Sequence, residues 1–110
     1  MGFFTIFVPE GLSELAYKRA LRSGPRYAST RHRYHTKLLE SAGFQRVDEI
    51  DLTLEFLATT RAWLGGRERF RDELVKAEGE DVFEERQRDY RLQAEGIEAG
   101  LLRRALFTCA

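Results

Sequence analysis

The chain has 110 residues, of which 43% are hydrophobic, and it carries 18 basic and 18 acidic residues. This length is typical of one small domain, and the hydrophobic fraction argues against disorder. The formal net charge of zero excludes an overall field that would attract nucleic acid or a membrane. Cys109 is the only cysteine, so an intrachain disulfide is excluded and a cytoplasmic location is expected. We expect Cys109 to pack within an apolar strand rather than to act as a nucleophile.

The charges are unevenly distributed along the chain. Residues 1–46 hold eight Lys or Arg and three Asp or Glu, whereas residues 47–110 hold ten and fifteen. Between Lys18 and Lys37 there are seven basic residues and two His but no acid, interleaved with Tyr, as on RNA-binding surfaces. The alternatives are a solvated helix face with a loop, or a contact surface for the acidic second half. We favour these alternatives over nucleic-acid binding.

The first predicted elements are a strand and a helix. GFFTIFV, residues Gly2–Val8, is rich in aromatic and β-branched residues and predicts a strand buried on both faces. It is far shorter than the ~20 residues of a membrane span, and no signal-peptide layout is present. Ser13 is a good N-cap for a helix that continues through Leu21 and ends at Gly24-Pro25.

A second helix and a second strand follow. The helix is predicted to begin at Ser29 or Thr30 and to continue through Ala42, and Gly43 fits the left-handed position just past its end. QRVDEIDLT, residues 45–53, alternates roughly between apolar and polar residues. It predicts a strand with one face in water.

Residues 54–100 have a helical pattern with two apolar stripes. The first stripe contains Phe56, Leu57, Trp63, Leu64, Phe70 and Leu74. The second contains Phe83, Arg86, Tyr90, Ala94, Ile97 and Leu101. Gly65-Gly66 is expected to weaken or kink the first helix, and Gly79 to end it. The pattern therefore predicts a helical hairpin, after which residues 101–110 form a last strand.

The predicted order is strand, two helices, strand, helical hairpin and strand, which is the α/β class with about four helices. A crossover from the first strand through helices to the second favours a parallel pair with a right-handed connection. The pattern leaves the direction of the last strand open.

HTKLLESAGFQRVDEIDLT resembles the fifth-helix and sixth-strand region of class I S-adenosylmethionine-dependent methyltransferases, where "LL..AGF..V...D.T" is a common wording. GFFTIFVP resembles the preceding strand. EFLATTRAWLGGRERF and EERQRDYRLQAEGIEAGLLRRALFTCA resemble the helical insertion and the final antiparallel strand of one branch. The resemblance covers essentially the whole chain but only the back half of that domain.

The resemblance implies a partial Rossmann-like fold. Such enzymes have a seven-stranded sheet ordered 3-2-1-4-5-7-6, and this chain would supply the neighbouring strands 5-7-6. Residues 1–110 would then be one incomplete domain, with 1–53 as strand-helix-helix-strand, 54–100 as helical insertion and 101–110 as final strand. The glycine-rich turn and the acidic residue that hold S-adenosylmethionine belong to the missing strands. We therefore expect a truncated gene product or one piece of a split enzyme, inactive alone and unable to bind the cofactor alone.

The resemblance also implies that the helical segments form the substrate side of the pocket. The substrate-binding candidates are Tyr17, His32, His35, Arg61 and Trp63. None lies in a motif of known role, so no catalytic or cofactor-binding residue is assigned. Each has a structural alternative: Trp63 in the core, Tyr17 half-buried on its helix, and Arg61 in a surface ion pair. The spacing of His32 and His35 is compatible with a metal site, but no acidic or thiol partner is near, so no metal is expected.

The implied reaction is methyl transfer from S-adenosylmethionine to a small molecule. In the related fold the strand Gly2–Val8 pairs with the missing fourth strand, and a bare apolar edge recruits another strand. We therefore expect a homodimer, or a complex with a separate chain that supplies the missing half. The alternatives are a small RNA- or anion-binding module with a basic patch, and a structural or oligomerisation subunit that completes a split enzyme.

Overall fold

The computed structural model describes residues 1–24 and 35–110. Its elements in chain order are β1 (Gly2–Phe7), α1 (Glu14–Ser23), α2 (His35–Ser41), β2 (Val47–Asp51), α3 (Thr53–Arg69), α4 (Arg71–Glu78), α5 (Glu80–Glu98) and β3 (Arg103–Cys109). The described ranges thus hold five helices, one more than the sequence pattern indicates. None of these helices is long and apolar enough to cross a membrane.

The three strands form one sheet in the order β1-β3-β2, and β3 runs antiparallel to both neighbours. β1 and β2 therefore point in the same direction but are separated by β3. This confirms the α/β class, the predicted strand order and the antiparallel last strand. Phe107 of β3 lies opposite Phe3 on one side and opposite Glu49 on the other.

The two faces of the sheet differ in how far their side chains are buried. On one face, the ring centroid of Phe107 lies 5.4 Å from that of Phe3 and 4.8 Å from that of His35 in α2. On the other face, Phe4 and Ile50 are 56% and 49% exposed. The prediction that Gly2–Val8 is buried on both faces was therefore wrong. Just past the end of β1, Val8 is fully buried in the core.

The core lies between that end of the sheet and the helices α1, α3 and α5. Its buried apolar members are Val8, Ala20, Phe56, Ile97, Leu101 and Leu102. Ser13 caps α1 as predicted, since its hydroxyl accepts a hydrogen bond of 3.1 Å from the backbone N–H of Ala16. At the end of α2, Gly43 has φ of 104°, which confirms the predicted left-handed position.

The segment between β2 and β3 differs from the predicted hairpin. Phe70 separates α3 from α4, so three helices are present instead of two, whereas Gly65 and Gly66 lie inside α3 without ending it. Gly79, with φ of 91°, separates α4 from α5 as predicted. The apolar stripe does not mark the buried face of α3, since Trp63 is 58% exposed. The buried positions of α3 are Phe56, Thr60 and Arg67.

Candidate functional site

The helices are attached at one edge of the sheet. α1 follows the carboxyl end of β1, and α3 follows the carboxyl end of β2. α5 leads back to the start of β3, which lies at the same edge because β3 is antiparallel. Open α/β sheets bind ligands outside the carboxyl ends of their parallel strands. This edge is therefore where a binding site is expected.

A cavity of about 540 Å³ lies between the sheet and the helices α3 and α5. We call it the α3/α5 cavity. Its lining residues are Phe4, Thr5, Ile6, Phe56, Thr59, Thr60, Trp63, Tyr90, Gln93 and Arg104. Pockets for small molecules in proteins measure roughly 300–1,000 Å³. The size is thus suitable for a small ligand, and the lining combines aromatic rings with a few polar groups.

A short hydrogen-bond chain fixes one wall of the α3/α5 cavity. The hydroxyl of buried Thr60 donates to the backbone carbonyl of Phe56 at 2.9 Å. The same hydroxyl accepts a hydrogen bond of 2.9 Å from the side-chain amide of Gln93 in α5. Because Thr60 is held by its own helix, Gln93 is positioned relative to α3 as well as α5. Such fixed polar groups orient a ligand.

Arg104 supplies the charge of the α3/α5 cavity. Its guanidinium carbon lies 4.7 Å from the ring centroid of Phe4, which is a cation–π distance. Its backbone N–H donates to the hydroxyl of Thr53 at 3.3 Å. The side chain is partly buried, and the cavity lining contains no Asp or Glu. Among the described residues that line the cavity, Arg104 is thus the only charged one.

A second cavity, of about 560 Å³, lies between α1 and α5 and shares Tyr90 and Gln93 with the first. Its lining is more strongly ionic and includes Arg67, whose guanidinium donates to the carboxylate of Glu78 at 2.8 Å and to the side-chain oxygen of Gln87 at 2.8 Å. Because Arg67 and Gln87 are buried, these contacts hold α3, α4 and α5 together. Their role is structural.

The ion pair between Arg67 and Glu78 makes the three helices sensitive to acid. The hydrogen bond from Arg67 lowers the pKa of the Glu78 carboxyl below its usual value of 4.5. A depressed carboxyl pKa stabilises the fold above the usual value and ceases to do so as the pH falls through the folded-state pKa. We expect Glu78→Gln to lower the Tm at pH 7, and the difference from wild type to shrink below pH 4.5.

Thermal unfolding followed by circular dichroism between pH 7 and pH 3 measures this difference. Glu73→Gln on the same helix is the control, because Glu73 forms no ion pair with any described residue. Because Glu73 interacts only with the dipole of the first turn of α4, its neutralisation should lower the Tm at pH 7 less than Glu78→Gln does. A Tm difference between Glu78→Gln and wild type that stays constant with pH would contradict the assignment.

The structure brings one of the five candidate residues predicted from sequence, Trp63, to the α3/α5 cavity. Tyr17 packs partly buried against the core. His35 contacts the rings of Phe7 and Phe107 on the other side of the sheet. Arg61 forms an ion pair with Glu98, as its structural alternative predicted. Tyr17, His35 and Arg61 therefore do not line the α3/α5 cavity, and a role for them in substrate binding stays a prediction.

Two predictions fall largely on residues that the structure does not describe. His32, with the pair that it would form with His35, lies outside the described residues, as does most of the basic stretch between Lys18 and Lys37. Within residues 1–24 and 35–110, no three His, Cys, Asp or Glu side chains form a group that could hold a metal ion. Cys109 is buried in β3, as expected.

Sequence reasoning missed most of the α3/α5 cavity. Tyr90 was visible as a member of the second apolar stripe, but Gln93 and Thr60 are polar residues on helices and carry no signal of their own. Arg104 reaches the cavity through the pairing of β3 with β1, in which it lies opposite Ile6. That register is a long-range property, and only the resemblance to a known sheet order pointed to it.

Searches by sequence found no protein-family model and no curated protein that matches the chain. Comparison with solved structures gives a clear result: the fold is that of a segment of an S-adenosylmethionine-dependent methyltransferase. The chain superposes on phosphoethanolamine N-methyltransferase 2 of Haemonchus contortus with a TM-score of 0.83 and 11% sequence identity. The match covers 99% of this chain and 25% of that enzyme, which was solved with phosphomonomethylethanolamine and S-adenosylhomocysteine.

Proposed function

We propose that residues 1–110 form the substrate-side part of an S-adenosylmethionine-dependent methyltransferase that acts on a small molecule. The observation that carries the proposal is the superposition of 99% of the chain on a methyltransferase with a TM-score of 0.83. The α3/α5 cavity supports it, because it lies among the helices at the ligand-binding edge of the sheet. The chain spans about a quarter of the matched enzyme.

The described residues do not fit the cofactor itself. β1 leads through Pro9 into α1 with Gly11 as the one glycine of the connection, and β2 is followed at once by α3. Neither connection is the glycine-rich turn that lets a cofactor approach the backbone, and the α3/α5 cavity contains no carboxylate for ribose hydroxyls. We therefore assign no residue of this chain to S-adenosylmethionine. When bound, the cofactor would supply the methyl group.

The role of this chain in the reaction is to bind and orient the methyl acceptor. Methyl transfer requires that the acceptor atom lie in line with the sulfonium, and correct orientation alone supplies much of the rate enhancement. Gln93 is held by its hydrogen bond to Thr60, and the guanidinium of Arg104 is restricted by the ring of Phe4, 4.7 Å away. Both therefore offer preset contacts that position a ligand bound in the α3/α5 cavity.

The outer edge of β1 is the surface on which we expect a partner strand to bind. β1 pairs with β3 on one side, and no other described strand pairs with its outer edge. A free strand edge offers unpaired N–H and C=O groups to another strand. We propose that this edge receives the strand of the segment that completes the sheet and holds the cofactor. A second copy of the chain is the alternative occupant.

We expect residues 1–110 alone to show no S-adenosylmethionine binding, because the turn that holds the cofactor is not among them. Titration calorimetry measures the binding, and light scattering on the same sample gives the oligomeric state. A Kd in the micromolar range for this chain by itself would contradict the proposal. A concentration-independent monomer of 12.8 kDa would count against the role of the β1 edge.

The coding sequence that precedes Met1 provides the matching positive test. We expect it to encode, in frame or as a neighbouring gene, a strand, a glycine-rich turn and a helix. The product, joined to or expressed with residues 1–110, should bind S-adenosylmethionine in the same calorimeter. If the combined protein is folded and does not bind, the methyltransferase proposal is wrong.

A further inference from the structure

We propose that the α3/α5 cavity binds a small molecule with a planar apolar body and one anionic group, and that Arg104 contacts the anion. The identification of this ligand as the methyl acceptor rests on the proposed function, whereas the binding of such a ligand to the cavity does not. Three features of the cavity favour such a ligand: a cation without an acidic partner, a set of aromatic rings, and fixed neutral polar groups.

The first feature distinguishes Arg104 from the other arginines in the described part of the chain. Six of them form ion pairs with Asp or Glu: Arg46, Arg61, Arg67, Arg71, Arg86 and Arg103. Five more have no ion pair but are exposed to solvent: Arg19, Arg22, Arg69, Arg88 and Arg91. Arg104 is partly buried, and no acidic group of residues 1–24 and 35–110 pairs with it.

This isolation favours an anionic ligand. A charged group that is partly removed from water loses hydration, and a pairing anion compensates for the loss. The planar guanidinium forms two parallel hydrogen bonds with a carboxylate or a phosphate, which are stronger than bonds between neutral groups. The ring of Phe4 beneath the guanidinium restricts its position but leaves its charge uncompensated.

The second feature is the aromatic lining. Phe4, Phe56, Trp63 and Tyr90 all contribute to the cavity walls, and Phe4 and Trp63 are more than half exposed. A flat apolar group that covers solvent-exposed aromatic rings buries apolar surface, which favours binding. Stacked or edge-on contacts between the rings add to this stabilisation. An aromatic or similarly planar body is the matching ligand shape.

The third feature is the polar wall formed by Gln93 and Thr60, joined by their hydrogen bond of 2.9 Å. Together with Thr59, they offer neutral hydrogen-bonding groups beside the rings. Their place in the same cavity as Arg104 suits a ligand with a polar substituent on its planar body. The neighbouring apolar groove along α3 and α4 includes Trp63 too, but its arginine is the one that pairs with Glu78.

Trp63 provides the measurement, because it is the only tryptophan of the chain and lines the cavity. We expect phenylacetate to change its fluorescence saturably. The isosteric neutral amide, phenylacetamide, should bind at least about tenfold more weakly, because a hydrogen bond between charged groups is stronger than one to a neutral group. Phenyl phosphate tests the second source of anionic charge: comparison with phenylacetate shows whether the site prefers phosphate or carboxylate.

Arg104→Gln should weaken phenylacetate binding by about tenfold or more and abolish the preference over phenylacetamide. Arg103→Gln is the matched control, because Arg103 is adjacent in the chain, exposed, and paired with Asp51 at 2.9 Å. It should bind phenylacetate as the wild type does. Arg104→Lys keeps the charge without the planar guanidinium and should fall between the two.

Circular dichroism of each variant shows that the fold is retained. The proposal is overturned if neither anion changes the fluorescence saturably, if acid and amide bind equally to the wild type, or if Arg104→Gln and Arg103→Gln bind alike. These titrations contain no S-adenosylmethionine. Their failure would leave the methyltransferase proposal standing, and failure of cofactor binding in the combined protein would leave this one standing.

Discussion

Phe83→Ala is expected to lower the free energy of unfolding by about 3–5 kcal/mol, the range observed for truncation of a buried phenylalanine. Phe83 lies near the start of α5 and is fully buried. The guanidinium carbons of Arg67 and Arg71 lie 5.2 and 4.6 Å from its ring centroid. The truncation therefore removes apolar burial, leaves a cavity and removes two cation–π contacts at once.

The loss is large relative to the stability of a small domain, which is about 5–15 kcal/mol. The ring of Phe83 also covers Arg67, whose buried hydrogen bonds to Gln87 and Glu78 join the three helices. Water that enters the space left by the ring would compete for those hydrogen bonds. We therefore expect α3, α4 and α5 to lose their mutual packing first.

Urea unfolding of wild type and variant, followed by circular dichroism, measures the difference. Phe70→Ala is the control, since Phe70 is the same residue type but is 54% exposed at the junction of α3 and α4. It should change the free energy of unfolding by less than about 1 kcal/mol. Equal losses for the two truncations would contradict the packing described for α5.

In α3 the sequence pattern predicted that a helix forms but not which of its faces is buried. The helical character of residues 54–100 was predicted from the period of the apolar residues, and it is confirmed. The buried face of α3 was not, because two of its three buried residues, Thr60 and Arg67, are polar and have their partners on α5 and α4. Partners so far away in sequence give no periodic signal, and the structural alternative that placed Trp63 in the core was wrong.

In the sheet, similarly, the positions of the strands could be predicted locally but their pairing could not. The strands could be located from short apolar runs or from rough alternation of apolar and polar residues, whereas the pairing of β1 with β3 depends on contacts between the two ends of the chain. The order β1-β3-β2 followed from the resemblance to a known fold, and the pairing of the strands in the structure confirms it. The α3/α5 cavity depends on the same long-range pairing, which is why Arg104 could not be singled out from the sequence.

Gly96→Ala is expected to destabilise the fold by a steric conflict between α1 and α5. A Cβ atom at Gly96 would lie 2.4 Å from the hydroxyl oxygen of Ser23 and 2.8 Å from its Cβ atom. The hydroxyl can rotate away, but the Cβ of Ser23 is fixed to the backbone, so the helices must separate. Overpacking of this kind costs about 1–3 kcal/mol, which outweighs the gain of roughly 0.5–1 kcal/mol from replacing a helical glycine.

Gly65→Ala is the matched control, and its expected effect has the opposite sign. Gly65 lies inside α3, and a Cβ atom there would meet no atom within 4 Å beyond its chain neighbours and its own helix backbone. The substitution should therefore stabilise the protein by roughly 0.5–1 kcal/mol, because alanine loses less backbone entropy in a helix. Thermal unfolding of the two variants gives both signs in one experiment. If Gly96→Ala is as stable as Gly65→Ala, then α1 does not pack against α5 as closely as the structure shows.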